Sequence, residues 1–349
     1  MLRFASFKSV AAIFLLSACI TPIDFKVANR GGIVIISASL STFQEPQKLM
    51  ISVTTIPNRP PIPISDATAF LFDDQGSRIR YQSLGNGTYT LPEGVNAMPG
   101  VSYILEVSLA DGGFYRSSVE AVPSIVGADD TSFKIASKSI TDAEGSVITS
   151  NQVELYSNVT LPSEGLFLYW AVDEAYIIVP TDFPDPFNSI PPSCFVTGNA
   201  DPQKITLFNG TEIRTTEINS LLLASREIDK SFLTRHTFLI KQNSISFDSY
   251  EYFRKVNLLV NQTGSIFDAP PASIVGNIKS INSPYEEVLG YFLVANTTAS
   301  RIAVTPGDIP FFIQPICTYI PDKPTDLYPS ECSNCFSVQN SSGTPPIWF

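Results

Sequence analysis

Apolar and polar residues alternate along most of the chain in short runs, and turn-forming residues separate these runs. Strict alternation is typical of a strand that buries one face and exposes the other, and it is clearest in Val101–Leu109. Between residues 31 and 125 the pattern predicts seven short strands. The other six are Ile33–Leu40, Leu49–Thr55, Ala67–Phe72, Ser77–Tyr81, Thr88–Leu91 and Phe114–Ser117.

The residues between these runs are those expected in tight connections. Asp73–Gly76 separates two predicted strands and Asn86–Gly87 precedes another, and both have the composition of β-turns. Pro57–Pro63 interrupts pairing, because proline donates no hydrogen bond to a β-ladder. Short strands at a spacing of about 8–12 residues predict an immunoglobulin-like β-sandwich over residues 31–125.

Residues 126–349 predict a second, larger β-rich domain. We expect Gly290–Asn296 and Arg301–Val304 to form a hairpin there. The other predicted strands are Ser132–Ala136, Val153–Tyr156, Gly165–Val172, Thr206–Phe208 and His236–Lys241.

One segment of this second domain has helical periodicity. Between Ser246 and Gln262 apolar residues recur every three or four positions, which predicts an amphipathic helix. The apolar positions are Phe247, Tyr250, Phe253, Val256 and Val260. Ser246 is the expected N-cap and Gly264 the expected C-terminal stop. Such a helix either covers one end of a sandwich or barrel or binds a partner.

Composition agrees with a mainly β protein. Charged residues make up 16% of the chain, below the roughly 25% of an average domain. The chain contains 24 Phe and 13 Tyr residues, and aromatic residues favour strands. The fold class is therefore predicted as an N-terminal immunoglobulin-like sandwich followed by a larger β-rich domain with one prominent helix.

The N-terminus has the organisation of an export signal. Arg3 and Lys8 precede the apolar run Val10–Leu16, which is too short to span a bilayer. The sequence Leu16-Ser-Ala-Cys19 resembles a bacterial lipobox. We therefore expect residues 1–18 to be a signal peptide, Cys19 to carry a lipid, and residues 19–30 to form a tether. A plain secretory signal or an uncleaved anchor is the alternative.

Charge limits the possible partners. The formal net charge is −11, and it becomes more negative when Arg3 and Lys8 leave with the signal. An acidic body gains nothing from anionic head groups, so the acyl chains must anchor it. Nucleic acid is excluded as a partner, because its recognition needs a basic surface.

Cys194, Cys317, Cys332 and Cys335 remain once Cys19 is assigned to the lipid. In an oxidising compartment they are disulfide candidates, and four cysteines allow three pairings. A zinc site would need all four thiolates. A redox pair at Cys332 and Cys335 would need a βαβ context that this pattern lacks.

A search for catalytic or metal-binding residues assigns none, and no cofactor is expected. His236 is the only histidine, and a hydrolase triad would also need a nucleophile and an acid. The acidic pairs Asp173–Glu174 and Glu286–Glu287 are more typical of a solvated surface than of a glycosidase. Calcium binding by Asp73, Asp74 and Asp111 is an alternative to their role in turns.

Several motifs together resemble a known family. They are Arg235–Gln242, Tyr250–Phe253, Gly264–Pro271, Val275–Ile278, Pro284–Phe292, the Cys332–Cys335 pair with Trp348, and the upstream segments Asp73–Gly76, Gly87–Leu91 and Tyr103–Ser117. They are similar to the Bacteroidota lipoprotein family called domain of unknown function 4249, over nearly the whole mature chain.

The resemblance implies a lipid-anchored outer-membrane protein exposed at the cell surface and often encoded beside TonB-dependent receptors. Asp24 is the single acid close behind Cys19, which departs from a richly acidic surface-export signal. The leading hypothesis is a non-enzymatic accessory subunit of an outer-membrane barrel, either a TonB-dependent transporter or an export or assembly complex. The alternative is a glycan- or peptide-binding lipoprotein, which exposed Trp170, exposed Trp348 or tyrosines clustered in a groove would favour.

Overall fold

The structure is a computed structural model that describes most of the chain after the predicted tether. The described residues are 32–56, 59–141, 145–161, 165–179, 193–212, 215–261, 274–315, 317–318, 320, 323–324 and 327–349.

The described residues form a mainly β fold, which confirms the predicted fold class. The strands are β1 (Val34–Ser41), β2 (Lys48–Val53), β3 (Ile62–Pro63), β4 (Thr68–Asp73), β5 (Arg78–Arg80), β6 (Gln82–Gly85), β7 (Thr88–Thr90), β8 (Ser102–Ser108), β9 (Phe114–Ser117), β10 (Glu120–Ala121), β11 (Asp130–Thr141), β12 (Val147–Thr160), β13 (Phe167–Ile178), β14 (Cys194–Asn199), β15 (Thr206–Asn209), β16 (Glu217–Glu227), β17 (His236–Ile245), β18 (Ile278–Ser280), β19 (Val288–Leu289), β20 (Phe292–Val304) and β21 (Ser341–Ser342). The helices are α1 (Phe247–Val260) and the single turn α2 (Ser330–Ser333), and short 3-10 turns cover Lys230–Phe232, Pro306–Asp308 and Cys335–Ser337.

The strands assemble into three sheets. Twelve strands form a large sheet with the main order β21-β14-β13-β17-β20-β1-β2-β7-β6. A six-stranded sheet has the order β18-β9-β8-β4-β5, and a three-stranded sheet has the order β11-β12-β16. β1 lies parallel to β20, with Ala38 opposite Phe292. The large sheet therefore contains strands from both sides of the domain boundary predicted at residue 125.

The first core lies between the six-stranded sheet and the β1–β2 part of the large sheet. β8 alternates as predicted, and its inward residues Leu105 and Val107 are each 1% exposed. Ile278 and Val288, from far along the chain, complete this core. The N-terminal sandwich thus receives strands from the C-terminal half.

The second core lies between the three-stranded sheet and the β13–β17–β20 part of the large sheet. Leu155 from β12 packs with Leu168 and Trp170 from β13 and with Phe238 from β17. The residues between these positions, such as Tyr169, lie on the opposite side of the large sheet. We call that opposite side the outer face.

The predicted helix is present as α1 and lies against the outer face. The Ser246 side chain accepts a hydrogen bond from the Ser249 backbone N–H, as expected of an N-cap. The buried ring of Tyr250 packs with Ile245 and Ala295 of the sheet. Gly264, the predicted C-terminal stop, lies outside the described residues. Among the described residues, no helix has the length and apolar character needed to cross a bilayer.

The hairpin predicted from Gly290–Asn296 and Arg301–Val304 is wrong, because both segments belong to the single strand β20. Residues 297–300 contain no Gly, Pro, Asn or Asp, and β20 pairs without interruption with β17 from Asn296 to Val304. Gly290 lies before the strand with a φ of 96°, where a Cβ would collide with the Ile36 carbonyl oxygen.

The strands β14 and β16 lie where none was predicted, as do the short strands β3, β6, β10, β18, β19 and β21. The expectation that Pro57–Pro63 interrupts pairing is wrong at its end, because Ile62–Pro63 forms the two-residue strand β3 beside β2.

Candidate functional site

The predicted lipidation site Cys19 lies outside the described residues, whereas the four other cysteines are described. Cys194 is bonded to Cys335, and Cys317 is bonded to Cys332. These two disulfides attach the C-terminal segment to β14 and close a short loop within that segment. Because all four thiols are paired, none is left for the zinc site considered as an alternative.

Of the aspartates considered for calcium binding, Asp73 and Asp111 accept hydrogen bonds within turns, whereas Asp74 Oδ2 accepts from the distant Ser102 N–H at 3.2 Å. Asp73 Oδ1 accepts hydrogen bonds from the backbone N–H groups of Gln75, at 3.0 Å, and Ser77, at 2.7 Å. Asp111 Oδ1 accepts from the Gly113 N–H at 3.0 Å. In the described part of the chain, no group of three or more His, Cys, Asp or Glu side chains has an arrangement that could hold a metal ion.

His236 is fully buried on the side of β17 that faces the second core, where its ring contacts the polar side chains of Glu174 and Ser231. Its Nε2 lies 3.1 Å from Glu174 Oε2, and its Nδ1 lies 3.2 Å from Ser231 Oγ. Arg226 Nε donates to the same Glu174 oxygen at 2.8 Å. The His236 ring also stacks on Phe232, with ring centroids 4.1 Å apart. The structure therefore places a hydroxyl and a carboxylate on opposite sides of the only imidazole.

A hydroxyl, an imidazole and a carboxylate in line are also parts of a hydrolase triad, but such enzymes need N–H donors for the oxyanion. Here the Ser231 N–H donates to Asp229 Oδ1 at 2.8 Å, and the Phe232 N–H donates to the Asp229 carbonyl at 3.1 Å. The Leu233 N–H donates to the Lys230 carbonyl at 3.2 Å. The backbone donors nearest Ser231 are thus engaged within their own turn.

Trp170, a proposed glycan platform, is 2% exposed and belongs to the second core. Its indole nitrogen donates to Asp129 Oδ2 at 2.6 Å. Burial raises the pKa of Asp129, and hydrogen bonds from Ser157 and Trp170 offset part of that rise. Trp170 therefore has a structural position and is not available to a ligand.

Trp348 lies at the opposite end of the outer face from α1, where it is half-buried. Its carbonyl accepts a hydrogen bond from Arg301 Nη1 at 3.3 Å. The neighbouring ring of Phe349 packs edge-on against Phe195, with centroids 5.1 Å apart. The C-terminal residues thus cover the end of the outer face formed by β14, β17 and β20.

Between α1 and this C-terminal cover, the outer face contains a groove of about 390 Å³. We call it the tyrosine groove, because Tyr169 of β13, Tyr252 of α1 and Tyr291 before β20 line it. The Tyr252 and Tyr291 rings lie 4.6 Å apart, and Tyr169 stacks on Phe253 at 4.9 Å. The opposite wall is formed by β1 and β2 and includes Met50, which is 55% exposed.

Three charged side chains, Glu45, Lys48 and Lys241, line the same groove. Lys241 Nζ is 2.9 Å from Asp173 Oδ2 and 3.1 Å from Glu45 Oε2. Burial lowers the pKa of Lys241, but the charges of Asp173 and Glu45 outweigh that effect and raise the pKa overall. Lys241 is therefore charged at neutral pH. Asp173 of β13 and Glu45 of the loop between β1 and β2 hold its ammonium group in position.

The tyrosines of the groove keep their phenolic protons at neutral pH. Burial raises the pKa of Tyr291 to about 12, and the pKa values of Tyr169 and Tyr252 are also raised by burial. The Ser249 hydroxyl donates to the Tyr291 oxygen at 3.2 Å, which attaches Tyr291 to α1. The groove therefore offers aromatic surfaces and neutral hydroxyl groups.

A second depression of about 470 Å³ lies on the other flank of α1 and is more polar. Arg116, Asp248, Lys255 and Lys279 line it, and it shares Tyr252 and Tyr291 with the tyrosine groove. α1 is thus a ridge between two surface depressions.

The sequence analysis predicted the segments that form the tyrosine groove but not the groove itself. Successive residues of a strand point to opposite faces of the sheet. The alternation in Gly165–Val172 therefore places Tyr169 and Trp170 on opposite faces, and the alternation in His236–Lys241 does the same for Ile240 and Lys241. Which of these faces meets α1 is decided by strand pairing, which a local pattern does not contain.

Comparison with known proteins gives a family but no activity. The family model described as "Domain of unknown function (DUF4249)" matches residues 20–301, most of the chain. No curated protein matches. A solved structure of manganese lipoxygenase of Gaeumannomyces graminis and zonadhesin of Komagataella pastoris is 9% identical, with 78% of this chain and 96% of that chain covered. Its TM-score of 0.15 carries no argument about fold or function.

Proposed function

This chain belongs to the DUF4249 family, and we propose that it is a non-enzymatic accessory subunit of an outer-membrane β-barrel complex. The barrel is a TonB-dependent transporter or an export or assembly complex. In this proposal a lipid on Cys19 holds the protein at the membrane, residues 19–30 are the tether, and the folded body is displayed at the cell surface.

The tyrosine groove is the observation that carries the proposal. Interface centres are enriched in Tyr, Phe and Met and depleted of unpaired charges. Tyr252, Phe253 and Met50 give the groove this composition, and Lys241, one of its two lysines, is already paired with two carboxylates. The second lysine, Lys48, lies at an exposed position of β2. A surface of this kind favours burial of a partner's loop or strand.

The lipidation part of the proposal rests on the N-terminal pattern. Acyl methylenes contribute about 0.8 kcal/mol each on burial, so two or three chains anchor an acidic body that the head groups do not attract. We expect Cys19→Ser to release the protein from washed membranes, with Cys317→Ser as a control that removes a cysteine but keeps the anchor. Membrane association unchanged by Cys19→Ser would contradict the anchor.

Co-purification tests the partner. The full chain, with an affinity tag after Phe349, is extracted from its native membranes in mild detergent and captured. We expect a heat-modifiable β-barrel protein to be recovered with it, identified by mass spectrometry. Recovery of the lipoprotein alone would overturn the proposal.

Groove variants make the test specific. Met50→Glu and Ser39→Arg place charges in the groove at exposed positions, so they disfavour partner burial without disturbing a core. Leu84→Glu is the matched control, because Leu84 is 64% exposed and does not line the groove. The barrel protein should be lost with the groove variants and retained with the control.

Binding of a glycan or peptide is the second candidate, and the clustered tyrosines favour it. Aromatic faces of Tyr169 and Tyr252 lie beside polar groups of Lys241 and Asn243. Calorimetry with soluble oligosaccharides and peptides tests this, with Tyr252→Ala as the variant. Saturable binding that Tyr252→Ala removes, together with unchanged recovery of a barrel protein, would assign the groove to a ligand and not to the partner.

A further inference from the structure

A separate pocket of about 350 Å³ lies where β13 ends and the disulfide-bonded C-terminal segment begins. Its volume is at the lower end of the roughly 300–1,000 Å³ found for small-molecule sites. The walls are mostly apolar and include Ile177, Ile178, Val179, Leu233, Pro315 and Val338. This pocket shares no lining residue with the tyrosine groove.

Three hydroxyl-bearing residues, Tyr176, Ser231 and Thr234, line the pocket, and among them Ser231 contacts His236 Nδ1. The Thr234 hydroxyl donates to the Ile177 carbonyl at 2.8 Å. Ser231 is 4% exposed and His236 is 0% exposed.

Behind the Ser231 hydroxyl, the hydrogen-bonded chain continues through His236 and Glu174 to Arg226. Three residues, His236, Glu174 and Arg226, therefore form a hydrogen-bonded chain behind one hydroxyl that borders an apolar pocket.

The hydrogen bonds of this network determine whether Ser231 can donate a hydrogen bond to a ligand or accept one from it. Glu174 Oε2 accepts from Arg226 Nε and lies 3.1 Å from His236 Nε2, so an imidazole proton on Nε2 completes this contact. With the proton on Nε2, Nδ1 is an acceptor for the Ser231 O–H. The Asp229 carboxylate is a second acceptor, because a hydrogen bond from the Ser231 side chain lowers its pKa. The hydroxyl proton is thus occupied by one of these acceptors. The Ser231 oxygen accepts a hydrogen bond from Arg226 Nη2 at 3.5 Å, and its second lone pair remains for a ligand.

The rim of the pocket carries charges that neutralise each other. Lys230 and Glu331 form an ion pair there, and both line the pocket. Burial raises the pKa of Glu331, but the hydrogen bond with Lys230, a backbone hydrogen bond and the charge of Lys230 together outweigh this and lower the pKa overall. Neither sign of charge is left in excess, so the pocket favours a neutral ligand.

We propose that this pocket, which we call the Ser231 pocket, binds a compact, neutral, apolar molecule that carries one hydroxyl, and that the ligand hydroxyl donates to Ser231 Oγ. The apolar walls bury the hydrocarbon part, and the network behind Ser231 keeps its oxygen available as an acceptor. This site is distinct from the surface that the accessory-subunit proposal uses, so either proposal can fail without the other.

Binding of two probes tests the proposal. The full chain is placed in lipid nanodiscs, so that no detergent competes, and is titrated with 1-naphthol and with 1-methoxynaphthalene, which has no hydroxyl donor. We expect 1-naphthol to bind about 3-fold to 10-fold more tightly, because one hydrogen bond differs between the probes. Ser231→Ala should remove this preference and retain the binding of 1-methoxynaphthalene.

Two filling variants locate the binding. Val179→Trp and Val338→Trp enter the pocket from partly exposed positions, and each should abolish the binding of both probes. Leu84→Trp is the control for an added indole elsewhere, and it also corrects for partition of the probes into lipid. Thermal melting verifies that each variant is folded, and two independent filling positions keep the test valid if one variant is unstable.

Three results would overturn the proposal. The first is the absence of saturable binding by either probe. The second is binding that persists in a folded filling variant. The third is a preference for 1-naphthol that survives Ser231→Ala.

Discussion

The indole nitrogen of Trp170 donates a hydrogen bond to Asp129 at 2.6 Å, and this contact joins two sheets. Trp170 belongs to β13 of the large sheet, whereas Asp129 directly precedes β11 of the three-stranded sheet. The same carboxylate accepts from the Ser157 hydroxyl at 2.5 Å and from the Gln242 amide. Asp129 therefore connects β12, β13 and β17 at the edge of the second core.

Loss of this carboxylate should destabilise the fold. Asp129→Ala leaves the buried donors of Trp170 and Gln242 without their partner, and such groups cost about 1–3 kcal/mol each to leave unpaired. We expect the free energy of unfolding to fall by about 2–3 kcal/mol, as measured by urea denaturation with a constant m-value. Asp130→Ala, at the exposed next residue, should change it by less than about 0.5 kcal/mol. Equal effects of the two changes would show that Asp129 has no special role.

The two disulfides should differ in their contribution to stability. Cys194 and Cys335 are 141 residues apart, whereas Cys317 and Cys332 are 15 residues apart. Closing the longer loop removes more entropy from the unfolded chain, about 5 kcal/mol against about 3 kcal/mol. Thermal melting of the two double Cys→Ser variants should give the lower Tm for the Cys194/Cys335 variant. The reverse order would mean that local contacts, not loop closure, dominate.

Lys241 should contribute stability that is lost at high pH. Its pKa is raised above the ordinary value of 10.5, so it is protonated more readily in the folded state than in the unfolded state. The contribution is complete below that ordinary value and disappears as the pH rises through the folded pKa. At pH 7 Lys241→Met should be about 1–2 kcal/mol less stable than the wild type. The difference should shrink above about pH 10.5, and a pH-independent difference would rule out the charge as its cause.

Ser231 should not react as a hydrolase nucleophile. The backbone N–H groups of Ser231, Phe232 and Leu233 are hydrogen-bonded within their turn, so none is directed to an oxyanion. We expect no adduct on Ser231 after incubation with a fluorophosphonate probe, measured by intact-protein mass spectrometry beside a serine hydrolase as positive control. An adduct that maps to Ser231 would contradict the non-enzymatic proposal.

The secondary structure was predictable wherever a local pattern decided it. The alternation in Val101–Leu109 became β8, and the spacing of Phe247, Tyr250 and Phe253 became α1 with Ser246 as its cap. The hairpin predicted between residues 290 and 304 is wrong, because the polar residues 297–300 resemble a loop between two apolar runs. These Thr and Ser residues instead continue β20 along β17.

The sites were less predictable, because their residues come from distant parts of the chain. The sequence pattern gives the single histidine His236 no partner, yet Glu174 lies 62 residues away in sequence and 3.1 Å away in space. Trp170 was a candidate platform for sugars, but the pairing of β13 places it in the core. Tyr169, its neighbour, faces the groove instead.

By itself, the sequence determined that the chain is mainly β, where most strands and the one long helix lie, and which cysteines were available for disulfides. These properties depend on residue type and on spacing within about ten residues. The tertiary structure decided the parallel pairing of β1 with β20, the pairing of the cysteines, and the positions of the tyrosine groove and the Ser231 pocket. The reason is that strand register and sheet order arise from contacts between residues far apart in sequence, and a local pattern is compatible with many such arrangements.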